Sequence, residues 1–288
     1  MQKSSPHRPP SVADSSEGRS SPSGASPSVL VRAVDAFAFS SGLAAAIGAS
    51  LSYVASHVLA APDAGSWAFM AATGTFIIYN LDRLRDIDRD RATSPLRTAF
   101  VLRNLRGLYV TVGIVAIGFL TALLAAPPAI ILLCTAIGLV GLFHRRLKES
   151  AALKAAYVST AWVAACVGIP WIASGRTSPG PWLASILLAS LTANLIASNL
   201  RDSESEVEEK STHSGRAPAL WAARAMTILA IAVTLAAPAS LHPLVWIPVC
   251  EGLALAYFRP TERYGHIVVD GGLLVGADIT WIHLGWLA

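Results

Sequence analysis

The stretch YNLDRLRDIDRDRATSP, Tyr79 to Pro95, follows the uncharged run SWAFMAATGTFII. It carries Asp82, Asp86, Asp88 and Asp90 interleaved with Arg83, Arg85, Arg89 and Arg91. Asp82, Asp86 and Asp90 are spaced by four. A helix turns about 100° per residue, so each step of four drifts only about 40° and the three carboxylates share one face. Asp88 points elsewhere. Like charges at that spacing repel, so a cation belongs among them. Two readings are open on this stretch alone. Arg85 and Arg89, each three residues after an aspartate, make a helix end laced with salt bridges. Alternatively the carboxylates hold Mg2+, a hard cation that keeps several waters and bridges to phosphate.

A second acidic stretch, NLIASNLRDSESEVEEK, repeats the spacing with Asp202 and Glu206, and an Asn-Leu pair precedes each cluster, at Asn80-Leu81 and Asn199-Leu200. Two helices that each bring carboxylates to one membrane face point to a faint internal repeat. Two facing carboxylate sets would hold two Mg2+ ions around a diphosphate. Glu204, Glu208 and Glu209 read as a solvated loop. The stretch FHRRLKESAALKAAYVSTAW adds Arg145, Arg146, Lys148 and Lys154, which suit phosphate oxygens. Topology alone also accounts for Arg145 and Arg146.

The elements that position these residues are membrane helices. Of the 288 residues, 53% are hydrophobic and only 14% charged, with mean hydropathy +0.53. A soluble domain carries about 25% charged residues, so lipid must cover the remaining surface. Nine apolar segments are expected near 29–59, 64–82, 99–125, 127–143, 153–173, 181–200, 217–237, 241–258 and 265–287. Most approach the ~20 residues that cross ~30 Å of hydrocarbon. Pro127 and Pro128 mark a tight hairpin, and Ser94-Pro95 reads as an N-cap and first-turn proline after a short loop at RAT. With the N-terminus cytoplasmic, 21 of the 22 Lys/Arg fall on the cytoplasmic side and only Arg176 on the other. The expected protein is therefore an integral protein of the plasma (inner) membrane, N-terminus in and C-terminus out. This bias explains the pI of about 9.1, and no nucleic-acid partner is expected. Residues 1–28, rich in Ser and Pro, are expected to be a disordered tail without a signal-peptide core. Cys134, Cys166 and Cys250 sit in apolar runs and read as small buried hydrophobes.

With these features in place, the sequence resembles the UbiA family of intramembrane prenyltransferases. That family has nine transmembrane helices and two Asp-rich motifs on helices 2 and 6. Its first motif is commonly N-D-x-x-D-x-x-x-D, with a Pro five and an Arg seven residues later. Here Asp90 is followed by Pro95 and Arg97 at those spacings, so Asp86 takes the middle position and Asp90 the last. Asp82 then occupies the family's Asn position and Arg83 its first Asp position. The second motif, D-x-x-x-D, is matched by Asp202 and Glu206, and LKAAYVSTAW is similar to the start of the family's helix 5. The resemblance covers residues 29–288 and is most specific over 79–97. It implies an all-α bundle around a central cavity that opens to the cytoplasmic face. It implies Mg2+ held by Asp82, Asp86, Asp90, Asp202 and Glu206, with Asp86, Asp90 and Asp202 central to catalysis. It implies that Arg97, Arg145, Lys148 and Lys154 bind the diphosphate of an isoprenyl donor, and that a lipophilic, often aromatic, acceptor captures the isoprenyl group within the membrane lipid. Arg83 and Glu206 depart from the family pattern. They support a second reading, a catalytically lapsed member that binds a polyprenyl lipid or acts in assembly.

Further polar residues at membrane depth are functional candidates. Asp35, three residues after Arg32, reads as a structural pair. Glu251 lies in the eighth segment, and Asp278 and His283 in the ninth. His266 and Asp270 are one turn apart and would orient an acceptor or make a helix-end hydrogen bond. Asn194, near Ser198 on the same face, and Asn199 are candidate cavity residues. The D-G-x-x-A-R signature of CDP-alcohol phosphotransferases is absent. Acidic clusters at one face rather than at mid-membrane argue against a transporter.

Overall fold

The computed structural model describes residues 28–143, 151–202 and 216–287. Regular structure among them is helical throughout. A chain this apolar must satisfy its backbone N–H and C=O groups internally, and helices do so within each segment. α1 (Val29–Phe39) and α2 (Gly42–Val58) meet at a 66° bend. Ser41 sits in the left-handed region at φ 69°, and a Cβ on Gly42 would come within 2.6 Å of the Phe37 ring. α3 (Ala64–Arg85) runs back along α2. The short helices α4 (Ile87–Thr93) and α5 (Pro95–Arg103) then lead to α6 (Leu105–Leu124).

The hairpin before α7 (Pro128–Phe143) falls at the two prolines, as expected. α8 (Ala151–Val163) passes through a π-helical turn, Ala164–Gly168, into α9 (Ile169–Ala173). Pro170 has no N–H to donate to the preceding turn, which accounts for the widened register there. α10 (Gly180–Asp202) and α11 (Arg216–Ala236) follow. A 3₁₀ turn, Ala239–Val245, opens α12 (Trp246–Ala256), and a π-helical turn, Tyr264–Val269, opens α13 (Asp270–Leu287).

Each expected apolar segment coincides with a helical unit. Among the described residues six are long and apolar enough to cross a membrane: α6, Lys154–Ala173, Gly180–Leu200 of α10, Ala217–Ala236, Ala239–Ala256 and Tyr264–Trp286. The bent α1–α2 pair is a seventh when taken as one span. α7, at 16 residues, is short for a straight crossing, and the last turn of α3 carries Arg83 and Arg85. These long apolar helices make the chain a membrane protein.

α10 is the central helix, with half of its apolar window buried, whereas α6 is only 11% buried and lines the outside. Around α10 the core has two levels. Leu183, Leu187 and Leu191 pack with α2, Leu244 and Leu273. Nearer the other end, Ala193 and Ala197 pack with Leu255 and Val269. Two expectations need correction. The link after α3 is not a short loop but the helix α4, because backbone hydrogen bonds carry helical pairing through it. Asp35 pairs with Arg263 at 2.7 Å rather than with Arg32, because packing brings the π turn of residues 264–269 against α1.

α12 and α13 approach each other at Gly276, where a Cβ would lie 2.6 Å from Ile247 Cα and 2.7 Å from the Trp246 carbonyl oxygen. Both obstacles are backbone and cannot swing aside. Gly276→Ala is expected to cost roughly 1–3 kcal/mol, read as a lower melting temperature of the purified chain in detergent. Gly113→Ala, with nothing within 4 Å of the added atom, is the control and should not lower it.

Candidate functional site

α3 ends in the first acidic stretch. Asp86 N–H donates to the Asp82 carbonyl at 3.0 Å, Asp90 N–H to the Asp86 carbonyl at 2.9 Å, and Ser94 N–H to the Asp90 carbonyl at 2.7 Å. This ladder of i to i+4 bonds crosses the break between α3 and α4. Asp82, Asp86 and Asp90 therefore keep the helical spacing that the sequence implied, and all three are partly exposed. Arg83 is buried. Its Nη1 donates to the Phe39 carbonyl at 2.6 Å, at the C-terminal end of α1. Helix ends leave carbonyls unpaired, and a cation there is favoured by the helix dipole. Asn80 Nδ2 performs the same service for the Ser40 carbonyl at 3.0 Å. The two side chains together clamp the α1–α2 bend.

Arg97 is the hub of the next layer. Its Nη2 binds Asp90 Oδ2 at 2.9 Å and its Nη1 lies 3.2 Å from His266 Nε2. Arginine only donates, so Nε2 must accept and the imidazole proton sits on Nδ1. Nδ1 faces Asp270 Oδ2 at 3.6 Å, a contact rather than a full hydrogen bond. A chain of side chains thus runs from Asp90 through Arg97 and His266 to Asp270. The start of α5 is capped from far away. Leu96 N–H donates to Glu262 Oε2 at 3.0 Å and Arg97 N–H to Glu262 Oε1 at 2.8 Å. Ser94 stands at the N-cap position and Pro95 at the first turn, as read from sequence, but the buried Ser94 hydroxyl makes no hydrogen bond. A forked carboxylate meets two amides where one hydroxyl meets at most one.

Asp270 lines a small cavity in the bundle together with Tyr79, Trp162 and Asn194. Its volume of about 20 Å³ accommodates one water molecule and no isoprenoid chain. Trp162 Nε1 donates to the Tyr79 hydroxyl at 3.1 Å, and the two rings meet edge to face. The Asn194 side chain is buried and its Nδ2 has no hydrogen-bond partner. Glu251, fully buried on α12 between the two core levels, has both oxygens without a hydrogen bond and lies within electrostatic reach of Asp270.

The structure brings Asp90, Arg97, His266, Asp270 and Asn194 into one connected region, and Asp82 lies within electrostatic reach of Tyr79 and of Tyr157 on α8. Asp82, Asp86, Lys154 and Asn199 each engage neighbours. Asp202 ends α10, at the same end of the bundle as the π turn of residues 264–269, against which Val269 packs Ala197. The side chain of Asp202 and all of Glu206, Arg145, Arg146 and Lys148 lie outside the described residues. Among the described residues, no three His, Cys, Asp or Glu side chains converge as a metal-holding group. Sequence reasoning missed Glu262, Tyr79 and Trp162. Tyr79 had a signal, since it directly precedes the acidic stretch, whereas Glu262 meets its partners across 165 residues.

Comparison with known proteins finds no protein-family model, no curated protein and no solved structure that matches the chain.

The long-range cap yields a direct test. Glu262→Ala removes the acceptor of two N–H groups and is expected to cost about 1–2 kcal/mol, seen as a lower melting temperature. Ser94→Ala, which removes a hydroxyl that caps nothing, should leave the melting temperature unchanged.

Proposed function

We propose that the protein transfers an isoprenyl group from a polyprenyl diphosphate to a lipophilic, aromatic acceptor within the membrane, with Mg2+ as cofactor. The observation that carries this reading is the stretch 79–97. Its aspartates keep their four-residue spacing through the α3–α4 break, and Arg97, at the family's spacing, engages Asp90. Nine spans, with the N-terminus and the acidic stretches at the cytoplasmic face, belong to the same proposal. The match of each expected apolar segment to helix among the described residues and the one-sided distribution of Lys and Arg support it.

The donor chemistry fits Mg2+. The carboxylates are hard oxygen ligands, and the Phe39 carbonyl takes one N–H of the Arg83 guanidinium. Mg2+ is commonly held by one or two carboxylates, with phosphate oxygens and waters completing the octahedron, so a converged all-protein cage is not required. Asp82 and Asp86 would hold one ion, and Asp202 with Glu206 a second. When bound, the metal supplies Lewis-acid stabilisation of the leaving diphosphate.

The chain's own groups do the rest. Lys154, at the start of α8, and the basic residues Arg145, Arg146 and Lys148 would bind the remaining diphosphate oxygens. Arg97 keeps Asp90 fixed. The allylic C–O bond breaks, its electron pair leaves with diphosphate, and an acceptor carbon takes the cation and sheds a proton. The π faces of Tyr79 and Trp162 are at hand to steady the cation, and the apolar wall keeps water from it. A second reading has one observation in its favour. The cavity as it stands is too small for an isoprenoid, so a lipid-binding or assembly protein with a closed core would look similar.

The test is transfer of label from farnesyl or geranylgeranyl diphosphate to a panel of aromatic acceptors by the full chain in membranes. Asp86→Ala and Asp202→Ala are each expected to lower turnover about 10²–10³-fold, and chelation of Mg2+ should abolish it. Transfer that persists in both variants would sink the mechanism. Diphosphate binding without turnover in the unmodified protein selects the second reading.

A further inference from the structure

The cavity beside Asp270 presents a specific set of hydrogen-bonding groups. The Tyr79 hydroxyl already accepts from Trp162 Nε1 at 3.1 Å, so its own proton remains to donate. Asn194 is 6% exposed, lines the same space, and its Nδ2 meets no acceptor. A buried donor left unmet costs roughly 1–3 kcal/mol, so this amide calls for an occupant. Asp270 supplies a carboxylate acceptor, steadied from behind by His266. The remaining wall, including Ile47, Leu191 and Leu273, is apolar.

Two donors and one acceptor around a space for one oxygen atom match a hydroxyl group. A hydroxyl oxygen has two lone pairs for Tyr79 and Asn194 and one proton for Asp270. A carboxylate has no proton to give and would set like charge against Asp270. An ether or ketone oxygen would leave Asp270 facing a second acceptor. We propose that this cavity receives the hydroxyl oxygen of a lipophilic phenol or alcohol, with Tyr79 and Asn194 donating to it and Asp270 accepting from it. At about 20 Å³ the cavity takes the oxygen and not the ring, so the carbon skeleton extends through its mouth. Why such a compound comes to the protein rests on the prenyl-transfer reading. The pocket itself stands on its geometry. Together they narrow the acceptor class to hydroxylated compounds that do not present a carboxylate to this pocket.

The experiment measures equilibrium binding of labelled para-dodecylphenol, para-dodecylbenzoate and dodecylbenzene to the full chain in nanodiscs, without diphosphate or Mg2+. The phenol should bind roughly tenfold more tightly than either comparison compound, the scale of one net hydrogen bond. Asn194→Leu and Tyr79→Phe should each erase most of that preference while leaving dodecylbenzene binding in place. Asp270→Asn removes the like charge and should raise benzoate binding towards that of the phenol. Melting temperatures of the variants identify any that fail to fold, and the folded ones decide. The proposal is overturned if the phenol binds no better than dodecylbenzene, which leaves the cavity to a trapped water only. It is equally overturned if the phenol preference survives in both Asn194→Leu and Tyr79→Phe. Since no isoprenyl donor is present, failure here leaves the transfer reading standing, and failure of transfer leaves the pocket standing.

Discussion

One guanidinium ties the two halves of the candidate site together. Arg97 binds Asp90 on α4 and His266 in the π turn that opens α13, while its own backbone N–H is capped by Glu262. Each contact constrains the others. The Glu262 cap sets where α5 begins, and with it the position of the Arg97 side chain. The arginine then dictates the tautomer of His266, and the imidazole proton faces Asp270 at the rim of the cavity. Sequence positions that are far apart, 90 to 97 and 262 to 270, become one structural unit. Without that unit Asp90 would lose its tie to the π turn and, through it, to the cavity.

The same region gives a physical reason for an arginine between the aspartates. The α1–α2 bend interrupts a span inside the bundle and leaves the carbonyls of Phe39 and Ser40 without helical partners. Arg83 and Asn80, one turn apart at the end of α3, supply the missing donors. A carboxylate at position 83 would meet the Phe39 carbonyl as a second acceptor. The bend and the arginine therefore suit each other, and Arg83 belongs to the contacts that hold α1 against α3.

Much of the fold was legible because it follows from local physics. Runs long enough to cross hydrocarbon became helices, and the prolines at 127 and 128 became a hairpin. The spacing of Asp82, Asp86 and Asp90 survived because backbone pairing needs only neighbours four residues away. The choice of partner was not legible. Asp35 had Arg32 within a turn yet pairs with Arg263, and Ser94 stood at a cap position while Glu262 does the capping. Those outcomes depend on which helices pack together. The π turns at Ala164–Gly168 and Tyr264–Val269 are invisible to a pattern with the period of an α-helix, although the second carries His266. The orphaned amide of Asn194 emerged only once α3, α10 and α13 were assembled around it.

The weak apolarity of α3 has a consequence for what must cover it. α3 ends in Asp82, Arg83 and Arg85, and it does not join the helices that are long and apolar enough to cross a membrane on their own. α2 is apolar, lies directly before α3 with only residues 59–63 between them, and packs along it. Packing along α2 therefore covers part of this weakly apolar helix, and the carbonyls at the end of α1 give Arg83 and Asn80 their partners inside the bundle. Any disturbance of the α1–α2 bend is thus passed directly to the start of the acidic stretch.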